Sequence, residues 1–110
     1  MIKTIRLLLE YNTYCIWLYD EDDEIIDNDN PPEWDSDIEL TNAFMAVSDL
    51  YDTFFVDNEK EFMFIGCPDM ETAQKLKDLF VTALDILNKK NNGKYIIKNV
   101  VSFDDLFVEK

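Results

Sequence analysis

The chain has 110 residues, 47% of them apolar and 14% aromatic, with a formal net charge of −14 and no histidine. That apolar content exceeds what a disordered acidic chain holds, so the sequence is read as one globular domain around a single core. The charge excludes nucleic acid and anionic membranes as direct partners, because their phosphates are repelled, but it permits a protein that itself binds nucleic acid.

Met1-Ile2-Lys3-Thr4-Ile5-Arg6 enters apolar alternation at once, with no hydrophobic signal region. No apolar run approaches the roughly 20 residues of a membrane helix, so a cytoplasmic location is expected. Ile2–Tyr11 reads as a strand buried on much of both faces, and Tyr14–Tyr19 as a second strand rich in aromatic and β-branched residues. Asn12-Thr13 between them predicts an antiparallel hairpin. Alternation places Cys15, Trp17 and Tyr19 on one face, and Tyr14, Ile16 and Leu18 on the other. One of those faces is core, and the other is exposed or covered by the segment that follows. Ile25-Ile26 reads as a short edge strand.

Asp27–Asp35 is loop by its Asn, Asp and Pro content. Ser36 with Glu39 has capping-box spacing, and Asp37 suits the positive end of a helix. Leu40, Ala43, Phe44, Val47, Leu50, Tyr51 and Phe54 then form one apolar stripe, predicting a helix over Asp37–Asp52. Phe54-Phe55-Val56 and Glu61–Cys67 read as a second hairpin around the turn-forming Asp57-Asn58-Glu59-Lys60. Asp69 caps a helix over Met70–Lys90, whose stripe is Met70, Ala73, Leu76, Leu79, Phe80, Ala83, Leu84 and Leu87. Asn91-Asn92-Gly93 stops that helix, Tyr95–Val101 is a last strand, and Ser102 caps a short terminal helix with Phe103, Leu106 and Phe107. The expected fold is α+β: a mostly antiparallel sheet in the order β-β-α-β-β-α-β, with two amphipathic helices packed on one face. Cys15 and Cys67 are expected to be reduced and buried.

The charge is unevenly placed. Residues 1–68 carry the whole excess of acid, whereas residues 69–110 are balanced. Asp20, Glu21, Asp22, Asp23, Glu24, Asp27, Asp29, Glu33, Asp35 and Asp37 follow one another without a Lys, Arg or His between them. Such crowding raises self-repulsion and adds nothing to a core, which leaves two explanations: solubility, or complementarity to a basic partner.

Catalytic motifs are scarce. The missing histidine removes the commonest general base and metal ligand, and two glycines in all leave no phosphate loop or nucleophile elbow. Paired carboxylates can run glycosidase chemistry, yet no pair is singled out by an apolar setting. Asp20, Asp22 and Glu24 alternate as in calcium loops, but Ile25 and Pro31 stand where such a loop needs Gly and Glu, so no metal or cofactor is expected. Trp34, ringed by charge, is either an anchor folding the loop onto the domain or an interface hot spot. The candidate partner-binding residues are Asp20, Asp22, Asp23, Asp27, Asp29, Glu33, Trp34 and Asp35.

The plan of Ile5-Arg6-Leu7-Leu8-Leu9-Glu10-Tyr11, Trp17-Leu18-Tyr19-Asp20, an acidic Pro-containing loop, and two amphipathic helices flanking Phe62-Met63-Phe64-Ile65-Gly66 resembles a known group. These are the small acidic immunity proteins of bacterial polymorphic and contact-dependent growth-inhibition toxin systems. The resemblance rests on size, acidity and element order, and it carries over no site residues. It implies a cytoplasmic inhibitor that binds one toxin domain, often a nuclease, and the scarcity of catalytic motifs leads to the expectation that the chain is not an enzyme. An acidic nucleic-acid mimic of phage type, or an adaptor, shares the same physics, and a carboxylate-based enzyme is the third reading. The oligomeric state is left open.

Overall fold

The computed structural model describes residues 1–57, 62–101 and 103. Six strands and two helices follow in chain order. They are β1 (Ile2–Leu7), β2 (Ile16–Asp20), β3 (Ile25–Asp27), α1 (Ile38–Asp52), β4 (Phe55–Asp57), β5 (Phe62–Phe64), α2 (Met70–Asn91) and β6 (Ile96–Asn99). The α+β class holds, but the sheet is not the expected one. β3, β2, β1 and β6 form a four-stranded mixed sheet in that spatial order, with β6 parallel to β1. The β4–β5 hairpin stands apart as its own two-stranded sheet. A return over the length of α2 lets β6 run parallel to β1, a pairing that a tight hairpin cannot make. The expected turn after Asp57 falls on residues outside the described set, as do Ser102, Leu106 and Phe107 of the expected terminal helix.

The helices begin and end for reasons visible in the chain. The cap of α1 is Asp37 and not Ser36: its side chain accepts a hydrogen bond from the Leu40 backbone N–H at 3.0 Å. Asp69 caps α2 in the same way, accepting from Thr72 N at 2.7 Å. Asn92 ends α2 in the left-handed region, and Gly93 follows at φ +83°, where a side chain is strained. Met70, the expected first position of the α2 stripe, is exposed, as is Ile38 at the start of α1.

Both strands of the first hairpin are shorter than predicted. Leu8, Leu9 and Glu10 leave β1, and Tyr14 and Cys15 precede β2. Ile5, Leu7, Ile16 and Leu18 form the inner sheet face, in one core with Leu40, Phe44 and Val47 of α1 and Ala73, Leu76, Phe80, Ala83 and Leu87 of α2. Leu79 lies at the margin of that core, half-buried, and Phe80 holds the centre. Phe55 meets Phe64 across β4–β5 at 5.0 Å and Tyr11 at 4.8 Å, which ties the small hairpin to the β1–β2 loop. Cys15 and Cys67 are free and buried. Burial pushes the Cys15 thiol up to about 11, so it stays protonated at neutral pH.

Candidate functional site

The ten carboxylates occupy two structures, not one loop. Asp20 to Glu24 form the tip of the β2–β3 hairpin. Asp23 N donates to Asp20 O at 3.2 Å, and Asp20 N to Glu24 O at 3.0 Å. Asp23 adopts φ 60°, as in hairpin loops that end on a left-handed residue, a conformation Asp tolerates better than most side chains. The Asp20 carboxylate accepts the backbone N–H groups of Asp22 at 2.8 Å and Glu24 at 3.0 Å, which fixes the turn. Glu21, Asp22, Asp23, Glu24 and Asp27 are all exposed. Among the described residues, Arg6 is the cation that reaches this tip, 3.8 Å from Asp23.

The segment after β3 is held down by two asparagines. The Asn28 side-chain amide donates to Tyr14 O at 2.6 Å and Ile16 O at 2.9 Å, and its oxygen accepts from Tyr14 N at 3.0 Å. Buried Asn30 accepts from the Tyr14 hydroxyl at 2.7 Å and donates to Thr41 Oγ1 at 2.9 Å and Trp34 O at 3.3 Å. Tyr14 is therefore turned into the fold, and burial, with Asp29 nearby, raises its pKa. The outward partners, Asp27 and Asp29, each accept from the next backbone N–H, at 2.8 and 2.7 Å. Asn28 and Asn30 were not among the expected site residues. The signal for them was the Asp-Asn-Asp-Asn alternation itself, with charge outward and neutral amide inward.

The foot of the run, Glu33 to Asp37, is tied to α2 and the segment after it. Pro32–Trp34 form one 3-10 turn. Trp34 is half-buried, packs on the core, and meets Tyr95 edge-on at 5.8 Å. Asn91 sets Tyr95 in place: Asn91 Nδ2 donates to Tyr95 O at 2.9 Å, and Tyr95 N donates back to Asn91 Oδ1 at 2.8 Å. Glu33 accepts from the Tyr95 hydroxyl at 2.6 Å and from the Lys94 ammonium. Desolvation works against the charged form of Glu33, but the bonds from Lys94 and Tyr95 together outweigh it and lower its pKa. Asp37 pairs with Lys90 at 2.7 Å, and that bond, with the one from Leu40 N, lowers its pKa too. Asp35 is exposed.

Of the candidate residues, Asp20, Asp22, Asp23 and Asp27 thus sit together on the hairpin, and Asp29 just beyond it. Glu33 and Trp34 are drawn into contacts with Lys94 and Tyr95, and Asp35 lies between those contacts and the α1 cap. The carboxylates with shifted pKa values, Glu33, Asp37 and Asp69, all shift downward, the direction opposite to that of a general acid. Among the described residues, no three carboxylates or thiols converge closely enough to hold a metal ion. No described helix is long and apolar enough to cross a membrane. The chain matches no protein-family model, no curated protein and no solved structure.

Proposed function

We propose that this chain is a cytoplasmic binding protein that neutralises a basic protein partner, with the β2–β3 hairpin tip as the contacting charge. One observation carries the reading: Glu21, Asp22, Asp23 and Glu24 stand exposed on the one turn that Asp20 fixes, with Asp27 exposed at the end of β3, and Arg6 is the described cation that reaches them. A fixed cluster of this kind steers a basic surface into contact and speeds association, which suits an inhibitor that must act before its target does. The resemblance to immunity proteins makes the partner a cognate toxin domain. A nuclease is its most concrete form, since a cleft built for phosphates is basic.

Co-expression with the product of the adjacent reading frame tests this. The account expects a growth-inhibitory basic product, restored growth when this chain is present, and a complex that co-purifies and weakens as salt rises. A product that is toxic yet neither bound nor neutralised by the wild-type chain contradicts it.

A further inference from the structure

β6 closes one side of the four-stranded sheet, and its outer edge meets no other described strand. Val100 N donates to Leu7 O at 3.2 Å, so the even-numbered backbone groups of this segment face β1. By alternation, the N–H and C=O groups of Tyr95, Ile97, Asn99 and Val101 face the open side. Side chains close the two ends of that edge. The Asn91 amide answers both backbone groups of Tyr95, at 2.8 and 2.9 Å, as a neighbouring strand would. Asn99 Oδ1 takes the Val101 N–H at 3.0 Å. Between these stops, the outward N–H and C=O groups of Ile97 and Asn99 have no protein partner among the described residues. An unpaired row of this kind is a template for another strand.

The side chains around this window say which strand fits. Lys98 stands at its centre, exposed, and forms no ion pair among the described residues, whereas Lys89, Lys90 and Lys94 are all paired. Ile96 and Val100, on either side of it on the same face, are 49% and 52% exposed. From Asn88 to Val101 there are four lysines and no carboxylate. We infer that the open edge of β6 takes an extended segment of another protein as an added antiparallel strand. It pairs backbone to backbone at Ile97 and Asn99, with a carboxylate opposite Lys98 and apolar side chains opposite Ile96 and Val100. The inference is independent of the basic-partner reading, because the acidic tip stands at the opposite edge of the sheet. Three strand spacings, about 14 Å, separate β6 from β3, more than the screening length of about 8 Å at physiological salt. The tip therefore does little to repel a carboxylate at Lys98. A second copy of this chain is a poor occupant, since antiparallel pairing at Ile97 and Asn99 sets Lys98 directly against its own counterpart.

Short end-capped peptides reading Val-Thr-Glu-Thr-Val serve as probes, beside a version with Lys for the central Glu and one N-methylated at both Thr residues. Each is added to the labelled protein at physiological salt, and binding is read from the amide signals of Ile97 and Asn99, so that a Lys peptide held by the acidic tip is not counted. The Glu peptide is expected to shift both signals, to slow their hydrogen exchange, and to bind there about fivefold or more tightly than the Lys peptide. The N-methylated peptide lacks the donors that meet the β6 edge and should not bind there. Lys98→Glu should leave the fold intact, since the side chain is exposed and unpaired, and should reverse the order of the Glu and Lys peptides. An unchanged order in that variant overturns the inference, as does equal binding of the N-methylated peptide. So do Ile97 and Asn99 signals that no peptide moves, or slow exchange at both before any peptide is added, with light scattering showing a dimer.

Discussion

The tip and the foot of the acidic run are alike in composition and opposite in use. At the foot, Glu33 and Asp37 each meet a lysine and a further donor, and their carboxylates join residues up to 62 positions apart in sequence. At the tip, five consecutive carboxylates share one turn, where Asp20 serves the backbone and its neighbours face solvent. The difference teaches that a run of like charge is not one surface. A carboxylate with a fixed donor is spent on the fold, and one without it raises repulsion until something outside supplies the opposite charge.

The largest effect comes from the core on which both ends rest. The buried Phe44 ring meets Tyr14 edge-on at 6.2 Å, and Tyr14 holds Asn30. Phe44→Ala should cost roughly 3–5 kcal/mol in denaturant titration. A loss under about 1 kcal/mol would mean that α1 does not anchor the loop. Next in size, Asn30→Ala removes the joint between tip and foot and leaves the Tyr14 hydroxyl and Thr41 short of a partner. A loss of about 1–3 kcal/mol is expected, read by the same titration.

Smaller, and confined to the foot, is a dependence on pH. Asp37 and Glu33 have folded-state pKa values below the ordinary carboxylate range, so in acid the unfolded chain binds more protons. Their stabilisation is present above that range and is lost as pH falls through the folded values. Asp37→Asn with Glu33→Gln should therefore lower the melting midpoint at neutral pH and flatten the acid limb, with Asp69 keeping a residual slope. An acid limb as steep as in the wild type would remove the foot's structural role. Smallest of all, changing Asp20, Asp22, Asp23, Asp27 and Asp29 to Asn should leave the midpoint unchanged or slightly higher at low salt, since repulsion is relieved and the turn-fixing oxygens remain. A clear drop would show that the tip, too, serves the fold.

Local chemistry made much of the architecture legible. The apolar stripes gave both helices to within a residue or two, Asp69 and Asn91-Asn92-Gly93 marked the limits of α2, and the β1–β2 hairpin followed from two strands and a turn. Pairing was not legible. β6 has the same alternation whether it joins β1 in parallel or another strand antiparallel, and nothing in Ile96–Asn99 names its neighbour. Asp37, not Ser36, is the cap, and it also reaches Lys90, a contact across the helix pair that local spacing does not encode. Trp34 was ambiguous for the same reason: its partner, Tyr95, is distant in sequence. Composition puts the acidic candidates in one group because it reports charge but not donors.

Association kinetics test the central claim most directly, that the tip's carboxylates serve a partner and the foot's serve the fold. The product of the adjacent reading frame, immobilised on a surface, is exposed to the wild type, the five-fold tip variant and the Asp37→Asn, Glu33→Gln variant at low and high salt. The account predicts that the tip variant associates about tenfold or more slowly and loses most of its salt dependence, while the foot variant keeps the wild-type rate where it is folded. Wild-type rates with unchanged salt dependence in the tip variant would contradict it and leave the hairpin as a solubilising surface.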